Sequence, residues 1–147
     1  MTKLPDKRYI AGLMDGEGSF GIYNFSSRGV RWAPVVKIGM TDGFEIIRSL
    51  QKEFGGTLFL RKYDNPKYKS NLMWTLRSRE KIRRFIKLVQ PYLIIKKKQT
   101  ELILRYYDEN QVPWKPYVKL TERELNRRKE LYNEMRKLNR KGPAETE

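Results

Sequence analysis

Apolar side chains recur every three or four positions in five segments of the chain, which is the period of an amphipathic α-helix. The first segment, 6–16, begins with Asp6 as an expected N-cap. Pro91 interrupts a longer stretch of this period and is expected to end one helix and start another. Asp42 and Thr121 each carry an acid three residues later, in the manner of a capping box. The remaining helices are predicted at 42–54, 79–90, 91–107 and from Thr121 to Leu138.

Four further segments alternate apolar and polar residues with the period of two that a β-strand requires. The order α-β-β-α-β-β-α-α, followed by a loop and a last helix, predicts an α+β fold. In it, one four-stranded antiparallel sheet of two hairpins carries helices on one face. Pro34 lacks an N–H, so its part of the second strand is expected at an edge or a bulge. The strands are predicted at 19–25, 30–40, 57–63 and 69–77.

The whole chain, 1–147, is expected to form one domain with a real hydrophobic core. The core should span about 5–107, a loop and a C-terminal helix 108–140, and a frayed tail 141–147. No apolar run approaches the ~20 residues of a membrane span, and no targeting segment is seen. We therefore expect an intracellular protein, cytoplasmic or associated with nucleoid or organelle DNA, with no membrane partner.

The second face of the sheet is predicted to lie open, and its residues are basic and aromatic. No acid occurs among eight positions expected there, although a solvated sheet face normally carries mixed charge. Interleaved cations and rings are typical of a nucleic-acid platform, and we favour that interpretation over a plain solvated face. For the fourth strand the pattern leaves open which face is buried. The eight positions are Tyr23, Phe25, Arg31, Lys37, Thr57, Phe59, Arg61 and Tyr63.

Lys and Arg number 32 against 17 acids, which gives a formal net charge of +15. An excess this large favours a polyanionic partner, with a basic but inert surface as the alternative. The chain contains neither cysteine nor histidine. This excludes disulfide frameworks, zinc fingers, thiol nucleophiles and catalysis by histidine. Any chemistry must use carboxylates, lysines, arginines, hydroxyls or a metal held by oxygen.

One short stretch, YIAGLMDGEGSF at 9–20, places a carboxylate between two glycines at the end of a predicted helix. Gly12 and Gly16 share one face of that helix, where their small size lets a second helix approach closely. Fraying of the helix end at Gly16 is the alternative. Glu17 lies at a helix C-terminus, where negative charge is unfavourable unless a cation is near. Mg²⁺, which often binds only one or two carboxylates, would be such a cation, and an ordinary turn is the alternative.

The residues IAGLMDGEG at 10–18 closely resemble the signature of the LAGLIDADG homing endonucleases. The stretch QPYLIIKKKQTELIL at 90–104 is similar to the lysine-bearing segment of that family, and LNRKG at 138–142 to its usual ending. The element order also matches the αββαββα core of the family, with its four-stranded, saddle-shaped antiparallel sheet. The resemblance therefore covers nearly the whole chain.

The resemblance implies a site-specific endonuclease for double-stranded DNA. Such enzymes bind long targets through the sheet and cut both strands across the minor groove with Mg²⁺. Mn²⁺ is expected to substitute, and Ca²⁺ to support binding without cleavage. Only one copy of the signature is found here, which implies a homodimer on a long pseudo-palindromic target, with the signature helices paired at the two-fold axis. The expected interface residues are Ala11, Gly12, Asp15 and Gly16.

The resemblance also implies roles for individual residues. Glu17 matches the last acid of the signature, a metal ligand, and the Gly16 carbonyl is expected to complete the coordination. Asp15 matches the first acid, which is usually structural. Lys96 matches an active-site lysine that stabilises charge on the phosphoryl group or polarises the attacking water. Glu17 and Lys96 are therefore the expected catalytic pair.

DNA contacts are expected from the open sheet face and from the basic run 77–98. That run holds nine cations against one acid, and its alternative is a plain basic helix face. Arg31, Lys37 and Arg61 suit the edges of guanine. The full expected DNA-binding set is Tyr23, Arg28, Arg31, Lys37, Thr57, Arg61, Tyr63, Asn71, Thr75, Arg77, Lys97 and Lys98.

Two departures from the family pattern leave a second interpretation open. Many single-signature members carry a solvent-ordering glutamine after the second strand, where this chain has Gly39 and Met40. A helper basic residue is also missing from 41–44. The alternative function is a catalytically weak LAGLIDADG-type protein that binds nucleic acid, as an RNA maturase or a regulator.

Overall fold

The computed structural model describes residues 3–25, 31–111 and 119–140. Arg28, the predicted turn at 26–29, most of the predicted loop and the predicted tail at 141–147 lie outside the described residues. The helices are α1 (Lys7–Glu17), α2 (Phe44–Phe54), α3 (Arg79–Val89), α4 (Lys97–Glu109) and α5 (Glu122–Leu138). The strands are β1 (Gly18–Asn24), β2 (Trp32–Met40), β3 (Thr57–Arg61) and β4 (Asn71–Leu76).

The four strands form one antiparallel sheet in the order β1-β2-β4-β3. The two hairpins join where Val36 to Met40 of β2 lie opposite Leu76 to Leu72 of β4. Pro34 lies in the part of β2 that pairs only with β1, so its expected edge position is confirmed. The predicted α+β fold, with a four-stranded antiparallel sheet backed by helices, is confirmed.

The core lies between the sheet and the helices. Trp74 of β4 is fully buried, and its ring packs against Phe54 of α2 and Phe85 of α3, with ring centroids 6.3 and 5.2 Å away. The indole Nε1 donates a hydrogen bond to the carbonyl of Gly55 at 2.8 Å, so this large ring is buried without an unsatisfied N–H. One aromatic cluster thus fixes both central helices on the sheet.

The capping box predicted at Asp42 is wrong. Helix α2 begins after Gly43, whose φ of 72° lies in the left-handed region that glycine adopts without a steric penalty. The Asp42 carboxylate instead accepts hydrogen bonds from Lys69 Nζ at 3.2 Å, in the connection between β3 and β4. Asp42 therefore forms an ion pair with Lys69 and does not cap α2.

The helix predicted from Pro91 to Tyr107 begins later than expected. A 3-10 turn, Gln90–Tyr92, follows α3, and the chain then has no helical structure until α4 begins at Lys97. The backbone N–H groups of this non-helical segment are bound by an acid of α1, as shown below. A contact between distant segments therefore overrides the helical period of the sequence.

The capping box predicted at the start of α5 is present. Thr121 Oγ1 accepts from the Glu124 N–H, and the Glu124 carboxylate accepts from the Thr121 N–H at 2.8 Å. The helix then buries Leu131 and Met135 in the same apolar cluster as the strands. Among the described residues, no helix has the length and apolar character needed to cross a membrane.

A buried polar contact also holds α5 in place. Arg128 is 4% exposed, and its guanidinium donates to Tyr106 Oη of α4 at 3.1 Å. Burial raises the pKa of the Tyr106 phenol, so the O–H remains protonated and donates to the Trp32 carbonyl at 2.6 Å. This chain of contacts links α5, α4 and β2.

We expect Trp74→Ala to lower the free energy of unfolding by about 3–5 kcal/mol, because it leaves a cavity in the aromatic cluster. Phe59→Ala is the control, since Phe59 is 65% exposed on β3 and should change stability by less than about 0.5 kcal/mol. Urea denaturation followed by circular dichroism measures both. Equal losses for the two variants would contradict this assignment of the core.

Candidate active site and nucleic-acid interface

The carboxylate of Asp15, in the last turn of α1, binds the segment that precedes α4. Its two oxygens accept from the backbone N–H groups of Ile94, Ile95 and Lys96 at 2.8, 3.2 and 3.0 Å. These three backbone N–H groups have no hydrogen-bond partner within a helix, and the Asp15 carboxylate accepts from all of them. Both oxygens of Asp15 are engaged within the protein, in keeping with its predicted structural role.

The same contact places Lys96 against the end of α1. Its Nζ donates to the carbonyls of Met14 and Gly18 at 3.0 and 2.5 Å. These carbonyls lie at the negative end of the helix dipole, so the ammonium is in a favourable electrostatic position. Lys96 therefore supplies one of the cations that the helix end requires.

Glu17, two residues after Asp15, is in a different situation. It is the last residue of α1 and is exposed. Within the described part of the chain its carboxylate makes no hydrogen bond or ion pair. In a chain with a net charge of +15, an acid that has no partner among the described residues is available for a ligand.

A pocket of about 430 Å³, which we call the active-site pocket, lies beside Glu17. Its wall brings Glu17 and Lys96 together with Gln99 of α4 and with Asn139 and Arg140 after the end of α5. The predicted catalytic pair therefore lines one cavity. Gly16 lines it as well, next to Glu17.

The ligands available in the pocket suit a Mg²⁺ ion that is also bound by substrate, and they do not suit a metal enclosed by protein ligands alone. Within the described ranges, no group of three or more acidic, histidine or cysteine side chains is arranged so that it could hold a metal ion. Mg²⁺ is bound through one or two carboxylates plus substrate phosphates, and it prefers oxygen. Glu17 and a main-chain carbonyl of the Gly16 region would be protein ligands of that kind.

One side of α1 is exposed, with open space around its two glycines. We call this surface the α1 face and define it by Tyr9, Gly12, Gly16, Ile94 and Ile95. A Cβ added to either glycine would meet no other atom within 4 Å. Tyr9 is 53%, Ile94 87% and Ile95 70% exposed, so large apolar groups flank the glycines.

Ala11 does not belong to this surface, and its assignment to an interface is wrong. Its side chain is 0% exposed and lies in the apolar core with Ile10 and Met14. The helical period explains the difference, because position 11 lies on the side of α1 that faces the sheet, whereas positions 12 and 16 lie on the other side.

The outer face of the sheet carries several of the predicted DNA-binding residues in adjacent strands. Lys37 of β2 lies opposite Thr75 of β4, which lies opposite Thr57 of β3. The ring of Tyr23 lies 4.7 Å from Lys37 Nζ, in a cation–π contact that restricts both side chains. The sheet thus presents a row of polar side chains across three strands.

The structure also settles which face of β4 is buried. Leu72, Trp74 and Leu76 are in the core, so Asn71 and Thr75 lie on the outer face. Asn71 is paired with Arg61 of β3, as part of the same outer surface. The Arg61 guanidinium in turn lies 5.0 Å from the ring of Tyr63.

The remaining predicted cations lie at the ends of the sheet and of α4. Arg31 and Arg77 both stack on Phe25, at 5.6 and 5.0 Å from the ring centroid. Lys97 and Lys98 are exposed in the first turn of α4, directly after Lys96 of the active-site pocket in the sequence. Cations therefore surround both the sheet and the pocket.

The expectation that phosphate contacts come from the whole run 77–98 requires correction. Arg84 pairs with Glu53 at 2.7 Å, and Arg83 with Asp108 at 3.0 Å. Arg79 donates to the carbonyls of Tyr107 and Asn110. Three cations of α3 are therefore already engaged by other groups of the same chain, two of them in ion pairs at the surface.

Sequence reasoning missed Gln99 and the side chains after α5 as parts of the pocket. The stretch at 138–142 was singled out only for its resemblance, without a role. The exposed pair Ile94 and Ile95 was also missed, because both lie in the segment 91–107 that was expected to be a continuous amphipathic helix. Only the acid of α1 that holds their backbone explains why they lie at the surface.

The chain has the fold of the homing endonucleases. The homing endonuclease I-CvuI, solved with its target in the presence of 2 mM Ca, matches 95% of this chain and 85% of its own, with a TM-score of 0.70 and 17% identity. The archaeal intron-encoded homing endonuclease I-Vdi141I, solved with DNA, matches 96% of this chain and 88% of its own, with a TM-score of 0.68 and 21% identity.

The sequence identifies the family. Residues 10–107 match the family model of the LAGLIDADG endonucleases, and the chain belongs to that family. A Dictyostelium discoideum relative, named "probable intron-encoded endonuclease aI3", is 26% identical over 112 residues, 74% of this chain and 46% of the relative. A Debaryomyces hansenii protein of the same name is 26% identical over 90 residues, 60% of this chain and 12% of its own. The chain thus spans less than half of these relatives. The predicted resemblance is confirmed.

We expect Asp15→Ala to lower the free energy of unfolding by roughly 1–3 kcal/mol, because three backbone donors lose their acceptor. Glu17→Gln is the matched variant two residues away. It should leave stability unchanged or slightly higher, because no contact is lost and a negative charge leaves the C-terminal end of α1. Urea unfolding without divalent metal measures both. If Glu17→Gln destabilises as much as Asp15→Ala, the two acids do not differ as described.

Proposed function

We propose that the protein is a site-specific double-stranded DNA endonuclease that acts as a homodimer and requires Mg²⁺. The observation that carries the proposal is the active-site pocket, which is lined by Lys96 and by Glu17, whose carboxylate has no partner among the described residues. Membership in the LAGLIDADG endonuclease family supports the reaction class. The divalent metal is supported by the Ca and Mg present with the solved I-CvuI complexes.

The residues of the pocket have complementary tasks in phosphodiester hydrolysis. A bound divalent metal supplies Lewis acidity at the scissile phosphate. Glu17, with the Gly16 carbonyl, would hold it. Lys96 places positive charge where negative charge develops on the phosphoryl oxygens, and its two carbonyl contacts fix the ammonium before substrate arrives. Water adds to phosphorus, one P–O ester bond breaks, and the leaving oxygen takes up a proton.

Cutting both strands of a duplex requires two pockets of this kind, and the described part of one chain carries one. Two copies of the chain are therefore needed. The α1 face is the proposed contact between the copies. Its glycines allow close approach, and Ile94 and Ile95 offer apolar area that is exposed in the single chain. The chain also covers only 47% of the longer homing endonuclease I-GzeII, which is solved with its DNA target. A pair of these chains would match the size of that protein.

The outer sheet face is the proposed DNA-binding surface. In this proposal Lys37 and Arg61 contact guanine edges, and Arg77, Lys97 and Lys98 contact phosphates. Affinity should therefore fall as salt rises, with a log–log slope of about −0.9 for each phosphate contacted. The target is expected to be long and pseudo-palindromic, as the two-fold symmetry of a homodimer requires.

A cleavage selection on a randomised duplex library tests the proposal directly. With Mg²⁺ we expect recovery of a palindrome-like site cut in both strands. If no cut sequence is recovered, the proposed endonuclease activity is contradicted. If the recovered site has no internal symmetry, the proposed homodimer is contradicted.

Glu17→Gln should abolish cutting of the selected site in Mg²⁺ or Mn²⁺, because the carboxylate is the proposed metal ligand. Binding of the same duplex in Ca²⁺ should remain largely intact, as measured by electrophoretic mobility shift. Glu101→Gln, on an exposed acid of α4, is the control and should cut normally. Retained cutting by Glu17→Gln would remove this residue from the mechanism.

Gly12→Val should convert the dimer to a monomer, because a branched side chain keeps the second helix away. Sedimentation equilibrium measures the mass. The folded chain itself should be as stable as the wild type, since space around Gly12 is open within one copy. A dimer unaffected by the valine would exclude this face as the interface.

A second candidate function is a LAGLIDADG-type nucleic-acid-binding protein with little or no cleavage, as an RNA maturase or a regulator. The observation that favours it lies at the end of β2. Gly39 has no side chain, and a Cβ there would lie 2.6 Å from Asn71 Oδ1, while Met40 is apolar. Tight, sequence-specific binding of RNA or DNA without Mg²⁺-dependent cutting would identify this function.

A further inference from the structure

A carboxamide lies in the wall of the active-site pocket beside the catalytic pair. Gln99 of α4 follows Lys96 by three residues, so both reach the pocket from the same side of that helix. Gln99 is only 8% exposed, although its side chain is polar. A buried amide is costly unless its donors and acceptors are satisfied, so its partners indicate its role.

A backbone carbonyl fixes the orientation of this amide. The Phe20 carbonyl can only accept, and Asn139 Nδ2 donates to it at 2.8 Å. The Oδ1 of Asn139 therefore points the other way and accepts from Gln99 Nε2 at 3.2 Å. A flipped Gln99 would place two oxygens against each other. The direction of the hydrogen-bond chain is thus determined by the main chain of β1.

This orientation leaves Gln99 Oε1 as an acceptor that can take a ligand. No hydrogen bond within the described residues uses this oxygen. Among the described residues, Gln99 Oε1 is not one of the buried side-chain atoms that lack a hydrogen-bond partner, so it is accessible to solvent. Gln99 is one of the residues that line the active-site pocket. A fixed, neutral acceptor in a pocket with a carboxylate and an ammonium is suited to hold the O–H of a water molecule.

We propose that Gln99 orients the attacking water of the hydrolysis, and that Asn139 is a positioning residue that orients Gln99. The proposal rests on the endonuclease function proposed above. The water donates one O–H to Gln99 Oε1, which leaves a lone pair of its oxygen directed towards phosphorus. As the new P–O bond forms, the water passes its other proton to bulk water, the ester P–O bond breaks, and the leaving oxygen takes up a proton from bulk water. Gln99 stays neutral and exchanges no proton.

A purely structural role makes a different prediction. In that case the amide chain only fastens the end of α5 to β1. Asn139→Leu would then be the more damaging substitution, because it removes two hydrogen bonds, whereas Gln99→Met removes one. Water orientation predicts the reverse order for the cleavage rate, because only Gln99→Met removes the acceptor itself.

The test measures single-turnover cleavage of the selected duplex with enzyme in excess, for Gln99→Met and Asn139→Leu. We expect Gln99→Met to be about 10- to 100-fold slower than the wild type, less than the roughly 10²- to 10⁴-fold of a group that transfers a proton, because Gln99 only orients the water. Asn139→Leu should be slowed less. Duplex binding in Ca²⁺ should stay within about two-fold for Gln99→Met, because a loss confined to the transition state leaves ground-state binding unchanged.

Thermal unfolding without metal gives a readout that does not depend on activity. Asn139→Leu should lower the midpoint more than Gln99→Met, the opposite of the order in rate. Gln90→Met is the matched control, since Gln90 also makes one side-chain hydrogen bond, to Thr100, but lies outside the pocket. It should cut at the wild-type rate.

Three results would overturn the inference. These are a wild-type rate for Gln99→Met, a larger rate loss for Asn139→Leu, or a loss of Ca²⁺-supported binding that matches the loss of rate. If the wild type cuts no duplex, the proposed function fails and this inference fails with it. If the wild type cuts and Gln99→Met cuts equally well, the inference alone fails.

Discussion

The site depends on the hydrogen bonds that the Asp15 carboxylate accepts from three successive backbone N–H groups. These hydrogen bonds tie the end of α1 to a segment about 80 residues later in the chain and delay the start of α4 until Lys97. Because α4 starts only at Lys97, the Lys96 ammonium contacts carbonyls at the end of α1. Ile94 and Ile95 lie exposed at the surface. One acid therefore positions both the ammonium of the pocket and the apolar part of the α1 face.

The free edge of β1 has a related role. Strand carbonyls two residues apart point to the same side, and at this edge the Gly18 carbonyl accepts from Lys96 while the Phe20 carbonyl accepts from Asn139. An unpaired edge is a site for unwanted strand pairing, and α4 and α5 cover it with side chains. The active-site pocket lies along this covered edge, so the contacts that protect the sheet also build the pocket.

The fold class could be predicted from the sequence because its signals are local. The family resemblance implied Glu17 and Lys96 as a catalytic pair, and these two residues line one pocket. Alternation identified the four strands, and the acid between Gly16 and Gly18 pointed to Glu17. Long-range contacts were not predictable in this way. Ala11 required knowledge of which side of α1 faces the sheet, and the start of α4 depended on an acid far away in the chain. Gln99 gave no signal, because its role depends on a carbonyl of β1 and on Asn139.

The central claim is that two acids separated by one residue have different tasks, with Asp15 building the site and Glu17 binding the metal. Anomalous diffraction from crystals grown with the selected duplex and Mn²⁺ would test it most directly. The account predicts a manganese peak coordinated by Glu17 and by a DNA phosphate oxygen in each copy, with Asp15 still bound to the N–H groups before α4. A metal coordinated by Asp15, or none at Glu17, would contradict it.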